Sequence, residues 1–404
     1  MPHYIRNAFA SAVLLASVSL TAQVPATLDD ALRAIFERRE FEAQSVGPTA
    51  WLEDGRRYAA IRNGGLVAYD TATGAEEVLV PASALDPTGG KEPMSIEEYA
   101  WSPDKSKLLI FTNTRKVWRT NARGDYWVLT ITDGKPGTLK KLGGDAPEAT
   151  LMYAKFSPDG TRVAYAREQN LYVEDLASGR ILPLTTDGGG DIINGTGDWV
   201  NEEEFNIYDG FRWSPDGRRI AYWQFDTSGV GRFMLINNTD DIYPRIIQFP
   251  YPKPGTTNSA VRIGIVPVDG GETVWVKSAE PLREHYIPRM EWVDGSTLVV
   301  QNMNRLQNRN DVLLADVATG ETRRILRDEN TSWVEPVDEI VWLDQGREFV
   351  WVSEKDGWRH AYAVKRDGSG QRLLTKFEGD IASISAVDTT GGNLYFIASL
   401  ANAT

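Results

Sequence analysis

The chain has 404 residues, a hydrophobic fraction of 42% and a formal charge of −13 at neutral pH. This length and composition suit a globular protein with one large domain or two to three ordinary ones. The negative charge argues against nucleic acid and anionic lipid as partners, because both require a basic surface. It favours a cationic ligand or a cationic substrate end.

Cysteine is absent from the sequence, and the histidines are His3, His285 and His360. The absence of cysteine excludes disulfides, thiolate catalysis and Cys-ligated metals. So few and so widely separated histidines do not indicate a multi-histidine metal site. We therefore expect no metal site and no cofactor.

The first 22 residues have the pattern of a secretory signal. Arg6 supplies a positive charge, the stretch from Ala8 to Leu20 is almost wholly apolar, and Ala22 ends a plausible cleavage site. About 15 apolar residues are fewer than the roughly 20 that a membrane span needs. We therefore expect a cleaved signal peptide over residues 1–22 and a periplasmic or secreted protein. An uncleaved membrane anchor is the alternative.

A short helical segment is predicted over residues 23–45. Thr27, followed three residues later by Asp30, resembles a capping box at the start of a helix. Helical periodicity then places four apolar side chains on one face: Leu28, Leu32, Ile35 and Phe36. Beyond this segment helical periodicity nearly vanishes.

A repeat replaces it from residue 46 to the end. Each copy has an aromatic residue, a Pro/Asp/Gly turn and an alternating apolar strand, often with a second strand after it. The copies begin at Trp51, Trp101, Phe156, Trp213, Trp292 and Trp342, with a weaker one at Val387. Pro-Asp-Gly favours a turn, and period-two alternation indicates a half-buried strand.

A period near 50 residues with short strands is typical of a β-propeller. The sequence therefore predicts an all-β fold, with about seven propeller blades in residues 46–404. Unrelated β-hairpins with chance similarity are the alternative. The interval from Trp213 to Trp292 is longer than the others and rich in proline, so we expect a stiff extended insertion there that serves a site or an interface.

Three consecutive carboxylates, Glu202, Glu203 and Glu204, follow Asp198-Trp199-Val200-Asn201 in the fourth copy. Taken alone, such a run is most simply a solvated acidic turn. Held near aromatic side chains, two of these carboxylates could instead converge on one cation with several N–H donors. The free amino terminus of a peptide is such a cation.

The segment from Ile192 to Val266 resembles the dipeptidyl peptidase IV family of serine peptidases. The resemblance is carried by the following motifs: Gly195-Thr196-Gly197-Asp198-Trp199-Val200, the glutamate run, Trp213-Ser214-Pro215, Ala221-Tyr222-Trp223-Gln224-Phe225 and Tyr251-Pro252-Lys253. It implies an eight-bladed propeller that covers an α/β-hydrolase domain.

The resemblance also implies roles for individual residues. Glu203 and Glu204 would hold the ammonium group of the substrate, and Glu202 would be structural. Arg119, in Trp118-Arg119-Thr120, would meet a substrate carbonyl; a blade-edge arginine paired with a carboxylate is the alternative. Trp333 would line the side of the S2 pocket, or it contributes only to ordinary blade packing.

The chain lacks the G-x-S-x-G elbow that carries a hydrolase nucleophile, so we assign no catalytic residue to it. We expect it to be the propeller portion of a longer, exported exopeptidase that releases Xaa-Pro or Xaa-Ala dipeptides from peptides with a free N-terminus. A C-terminal hydrolase domain would complete it, and the whole protein could form a homodimer. The alternative is a free-standing periplasmic propeller that acts as a binding or scaffold protein.

Overall fold

The computed structural model describes residues 26–43, 49–52, 55–87, 93–338 and 340–399. The predicted signal peptide lies outside these residues. The chain divides into two compact units, Met1–Thr49 and Ala50–Thr404. Within the described parts, no helix has the length and apolarity needed to cross a membrane.

The first unit contains helix α1 (Ala26–Phe36), as the sequence predicted. Thr27 lies inside this helix, so its predicted role as the capping residue is wrong. Arg33 pairs with Asp29 at 3.0 Å and with Glu37 at 2.8 Å, one helical turn away on either side. Pairs at this spacing on an exposed helix face support a short helix only weakly.

The second unit is built of antiparallel strands with one short helix. The strands of its first half are β1 (Thr49–Trp51), β2 (Arg57–Arg62), β3 (Gly65–Asp70), β4 (Glu76–Val80), β5 (Glu98–Trp101), β6 (Lys107–Val117), β7 (Thr120–Thr132), β8 (Lys135–Lys141), β9 (Leu151–Phe156), β10 (Arg162–Arg167), β11 (Asn170–Asp175), β12 (Ile181–Pro183) and β13 (Ile192–Asn194). Helix α2 (Trp199–Phe205) follows.

The strands of the second half are β14 (Phe211–Trp213), β15 (Arg219–Asp226), β16 (Arg232–Asn237), β17 (Arg245–Pro250), β18 (Ala260–Pro267), β19 (Val274–Trp275), β20 (His285–Asp294), β21 (Thr297–Asn304), β22 (Arg309–Asp316), β23 (Thr322–Glu329), β24 (Trp342–Leu343), β25 (Glu348–Ser353), β26 (His360–Lys365), β27 (Gln371–Leu373), β28 (Ile381–Asp388) and β29 (Asn393–Ala398).

These strands form successive meanders, and each predicted repeat falls on one of them. β1–β4, β20–β23 and β24–β27 are four-stranded sheets; β5–β8 and β9–β12 are two more, joined through pairing of β7 with β9. β13, β14, β15, β18 and β19 make another sheet, and β28 pairs with β29. The all-β prediction is confirmed, with the repeat aromatics near the ends of the first strands.

A serine–aspartate turn explains why the Ser-Pro-Asp motif recurs. The Ser157 hydroxyl donates to Asp159 at 2.6 Å and accepts the backbone N–H of Arg162 at 3.0 Å. The same bonds occur at Ser102 and Ser214, and all three serines are buried. Each turn therefore satisfies its buried polar groups internally, which fixes the hairpin between the first two strands of the blade.

The repeat aromatics join neighbouring sheets. The Trp213 indole N–H donates to the carbonyl of Lys155 at 3.3 Å, and that of Trp292 donates to the carbonyl of Arg212 at 3.1 Å. Apolar strand residues pack between the same sheets, as in the buried cluster around Trp223 and Met290. Each blade thus buries its face against the next, as expected for a propeller.

The insertion between Trp213 and Trp292 contains a hairpin, so the expectation of a stiff extended connection there is wrong. β16 and β17 pair along their whole length, from Arg232 opposite Pro250 to Asn237 opposite Arg245. The prolines lie where pairing is no longer needed: Pro244 precedes β17 and Pro250 ends it. Proline is tolerated at strand ends because it removes no interior ladder bond.

Replacing Ser157 by alanine tests the serine–aspartate turn. The variant leaves the Arg162 N–H without its acceptor and removes one of the three donors to Asp159 Oδ1, the other two coming from Thr161, so we expect a loss of about 1–2 kcal/mol in the free energy of unfolding. Urea unfolding monitored by tryptophan fluorescence measures it. Ser332→Ala, at an exposed serine, is the control, and equal midpoints for the two variants would contradict the assignment.

Candidate functional site

The glutamate run forms helix α2 because both of its ends are capped. Asp198, only 4% exposed, accepts the backbone N–H of Asn201 at 3.0 Å and the hydroxyl of Ser259 at 2.5 Å. Asn206 has a left-handed backbone, with φ of 56°, and ends the helix. Asparagine is one of the few residues besides glycine that enter this conformation readily. Capping therefore explains a helix that the glutamate run alone did not predict.

The C-terminal end of α2 is fixed to neighbouring blades. Phe205 and Ile207 are buried in a core cluster with Trp223. Arg289, on β20, donates to the carbonyl of Phe205 at 2.6 Å and also pairs with Asp338. The helix is consequently held by packing and by a charged hydrogen bond that arises 84 residues further along the chain.

The helical turn sends the three glutamates into different environments. Successive residues of an α-helix lie about 100° apart around its axis. Glu202 is buried, with 7% of its surface exposed. The Glu203 side chain is 14% exposed, and Glu204 is exposed. The run is therefore not the solvated acidic turn that its composition alone suggests.

Arg119 and Glu203, two of the predicted site residues, are brought together. The Nε of Arg119 donates to both carboxylate oxygens of Glu203, at 2.9 and 2.7 Å. Arg119 occupies the two-residue connection between β6 and β7, and its neighbour Trp118 has a left-handed φ of 52°. The arginine side chain is 73% exposed, so its terminal N–H groups remain open to a ligand.

Glu204 has no hydrogen-bond or ion-pair partner among the described residues. Its nearest titratable neighbours include Tyr286, whose phenol pKa is raised first by burial and to a smaller extent by the charges of Glu284 and Glu204. The helix thus presents one carboxylate held by an arginine and a second that is open. Whether these two glutamates bind an ammonium group stays a prediction.

Aromatic side chains surround this part of the helix. Trp199 stacks on Tyr251 with centroids 4.4 Å apart and lies 5.4 Å from Phe249. Trp118 contacts the other side of Phe249 at 4.6 Å, and Phe233 lies 5.3 Å from Tyr251. We call these five residues the aromatic cluster. It connects the β6–β7 turn, helix α2 and the inserted hairpin.

Trp333 lies apart from the glutamates, in the connection between β23 and β24. Its side chain is 61% exposed and lines a shallow depression with Lys355 and Arg359. The neighbouring Val334, in the same connection, packs against the core cluster that contains Phe205 of α2. A role for Trp333 in a substrate pocket stays a prediction.

Glu202 is the residue whose environment the sequence did not reveal. Its carboxyl has no hydrogen-bond partner among the described residues, and its Oε1 is sealed from solvent. Burial, together with the charges of Glu203 and Asp198, raises the pKa of Glu202 to about 7. Within the part of the chain that the structure describes, no three carboxylates or histidines converge as metal ligands.

Comparison with known proteins agrees with this fold. The sequence profile of the dipeptidyl peptidase IV (DPP IV) N-terminal region matches residues 102–404. The chain therefore belongs to the dipeptidyl peptidase IV family and comprises its N-terminal region.

Individual relatives cover the same part of the family. Dipeptidyl peptidase 4 of Trichophyton rubrum is 30% identical over 363 residues, which are 86% of this chain and 45% of that protein. Dipeptidyl peptidase 4 of Trichophyton tonsurans is 29% identical over the same length. The crystal structure of Porphyromonas gingivalis dipeptidyl peptidase 4 superposes with a TM-score of 0.78 at 27% identity, covering 89% of this chain and 50% of that one. The chain thus spans about half the length of these relatives.

Replacing Glu202 by glutamine should stabilise the protein in a pH-dependent way. The folded-state pKa of about 7 lies above the ordinary 4.5, so ionisation of Glu202 opposes folding as the pH rises between these values. We expect no advantage for Glu202→Gln at pH 4 and an advantage of roughly 2–3 kcal/mol at pH 8. Urea unfolding at the two pH values measures it.

Glu321→Gln, at an exposed glutamate paired with Lys277, is the matched control. A stabilisation by Glu202→Gln that is the same at pH 4 and pH 8 would show that burial does not disfavour the charged form of Glu202.

Proposed function

We propose that this chain is the substrate-recognising propeller of an exported serine exopeptidase that releases Xaa-Pro or Xaa-Ala dipeptides from free peptide N-termini. The observation that carries the proposal is the pair of carboxylates on α2, one held by Arg119 and the other without a partner among the residues that the structure describes. The dipeptidyl peptidase names of the relatives support it. Peptide hydrolysis itself is assigned to a hydrolase domain outside this chain.

The chemistry of the two carboxylates suits a peptide amino terminus. An ammonium group has three N–H donors and no acceptor, so Glu203 and Glu204 can take two of them. Arg119 keeps Glu203 oriented and has open N–H groups that can donate to a substrate carbonyl. Binding the amino terminus fixes the position of the first residue of the peptide. Cleavage is then restricted to a peptide bond at a fixed distance from that terminus.

A blocked amino terminus should be rejected at this site. It lacks the positive charge and offers too few donors, so Glu204, which has no partner among the described residues, would be desolvated without a counter-charge, at a cost of about 3–5 kcal/mol. The partial burial of Glu203 is consistent with such a penalty. An endopeptidase, which does not require a free terminus, would have no use for this arrangement.

The location of the protein is part of the proposal. Residues 1–22 have the features of a signal peptide, and the absence of cysteine makes folding independent of the redox compartment. We expect export to a periplasmic or extracellular space, where peptides with free N-termini are available as substrates.

Glu203→Gln and Glu204→Gln test the clamp in the complete protein. Each variant removes a charge that faces the substrate ammonium, so we expect kcat/KM for an unblocked alanyl-proline chromogenic substrate to fall by roughly 100-fold, or about 3 kcal/mol. Initial-rate kinetics measure the effect. Glu321→Gln is the control, and near-normal activity in either clamp variant would refute the assignment of that residue.

The inserted hairpin supports the proposal that the complete protein is a homodimer. Met234 and Ile236 of β16 share one face of the hairpin with Ile246 of β17, and all three are exposed, so they form an apolar strip; Phe233 and Leu235 lie on the opposite face. A contiguous exposed apolar surface of this kind marks an interaction site in soluble proteins. A second copy of the same hairpin is apolar in the same way and is self-complementary about a two-fold axis.

The double variant Ile236→Asp/Ile246→Asp should therefore be monomeric. The two isoleucines are cross-strand partners that are 71% and 63% exposed, so aspartates there place charge in the proposed interface without disturbing a core. Light scattering after gel filtration of the complete protein gives the mass. Val78→Asp, at an equally exposed valine on β4, is the control; a dimer that survives the double variant would exclude the hairpin.

A further inference from the structure

A cavity of about 480 Å³ lies beside α2, next to Glu202. Ligand sites in proteins have volumes of roughly 300–1,000 Å³. Its walls include Trp118 and Trp199 of the aromatic cluster, together with Tyr153 and Tyr208. Glu202 lines this cavity, whereas Glu203, Glu204 and Arg119 do not. It is therefore distinct from the proposed amino-terminus clamp.

Glu202 gives the cavity an unsatisfied acceptor. Only 7% of the surface of Glu202 is exposed, and its carboxyl accepts no hydrogen bond from the described residues. A buried polar group without a partner is costly, and native proteins keep few of them. Such a group lining a cavity is explained when a bound ligand supplies the missing donor.

Arg167 gives the same cavity an unsatisfied donor. Its guanidinium lies over the ring of Tyr172 at 4.5 Å, and its Nε is buried without an acceptor. No carboxylate within the described residues pairs with it, although Glu202 lines the same cavity. By contrast, Arg212 on β14 and Arg283 just before β20 pair with acidic side chains.

The turn that follows Arg167 has an unusual pair of residues for its backbone conformation. β10 and β11 are joined by Glu168 and Gln169, which both have positive φ, of 50° and 62°. Two other two-residue turns with this backbone use Asn63-Gly64 and Asp133-Gly134, which adopt it with little strain. Glu168 and Gln169 line the cavity, so the less favourable residues occur where side chains are available to a ligand.

We propose that this cavity binds a short peptide of dipeptide size with both termini free, with its ammonium at Glu202 and its carboxylate at Arg167. Among the described residues that line the cavity, the Oε1 of Glu202 and the Nε of Arg167 are buried without a partner, whereas Glu168 and Arg123 are exposed to water. The two buried groups complement the two ends of a zwitterion, and a singly charged ligand would leave one of them unsatisfied. The indole and phenol rings of the wall provide apolar and cation–π contacts for the rest of the molecule.

The experiment measures binding of alanyl-proline to the complete protein by isothermal titration calorimetry. It uses a Glu203→Gln/Glu204→Gln background, so that the clamp does not contribute. In this background we expect alanyl-proline to bind, and further substitution by Glu202→Gln or Arg167→Met to weaken binding at least ten-fold. Arg115→Met, at an exposed arginine of β6 that does not line the cavity, should have no effect.

Modified probes separate this site from the clamp. N-acetyl-alanyl-proline lacks the ammonium and alanyl-proline amide lacks the carboxylate, so both should bind at least ten-fold more weakly than alanyl-proline. The amino-terminus clamp requires only the ammonium group, so binding at the clamp would be as tight for alanyl-proline amide as for alanyl-proline. Thermal melting confirms that each variant is folded, and Arg167→Lys, which keeps the charge, should retain more affinity than Arg167→Met.

Three results would overturn the inference. They are loss of all alanyl-proline binding in the clamp-disabled background, unchanged binding after both Glu202→Gln and Arg167→Met, and equal affinity for the amide. Failure of the proposed function is seen separately, as peptidase activity that survives Glu203→Gln and Glu204→Gln in an otherwise unmodified protein.

Discussion

The position of helix α2 depends on a close backbone contact between Gly195 and Gly210. β13 and β14 both pair with β15: β13 ends opposite Gln224, and β14 begins opposite Tyr222. The segment that connects β13 to β14 therefore leaves the sheet and returns to it only two residues further along β15. The N–H of Gly210 donates to the carbonyl of Gly195 at 3.0 Å. A Cβ on Gly210 would lie 2.6 Å from the backbone of Gly195, so only glycine fits there. Everything between the two glycines is consequently held at one place on the edge of the sheet.

This constraint explains why three adjacent glutamates are tolerated. In an extended turn they would repel one another in a common environment, which is unfavourable. On a short capped helix their directions differ, and each meets a separate neighbour or solvent. The negative charge of Glu203 is balanced by Arg119, and that of Glu204 is solvated because the side chain is exposed. The pKa of Glu202 is raised far enough that its neutral form is populated near pH 7. The repulsion among the three carboxylates is thereby reduced in a different way for each of them.

Sequence reasoning succeeded where the determinant is local and repeated. The Ser-Pro-Asp turn and its neighbouring aromatic recur, and the structure shows the same hydrogen bonds at the three turns that contain this motif. The proline-rich insertion was misread because the positions of proline, rather than their number, decide whether strands form. Pro244 and Pro250 lie at the ends of β17, outside its interior.

The site could be predicted only in part, because its determinants are distant in sequence. The family resemblance identified Glu203 and Arg119, and the structure joins them across 84 residues. No periodicity or motif marks Arg167 or the orphaned carboxyl of Glu202. Their properties come from neighbours that the fold assembles, so burial and the lack of hydrogen-bond partners reveal them whereas residue type does not.

The arginines around α2 illustrate how the propeller makes this assembly possible. Arg119 comes from the β6–β7 turn, Arg167 from the end of β10 and Arg289 from β20, so three different blades contribute to the surroundings of one seven-residue helix. In a single sheet, residues so far apart in sequence would rarely meet. Because blades are packed face to face, their strand ends and turns converge, and a charged helix in one blade is contacted by Arg119 and Arg289 from two others. The acidic helix is therefore a product of the whole array, and a mutation in any of the three blades can alter its electrostatics without touching the glutamates.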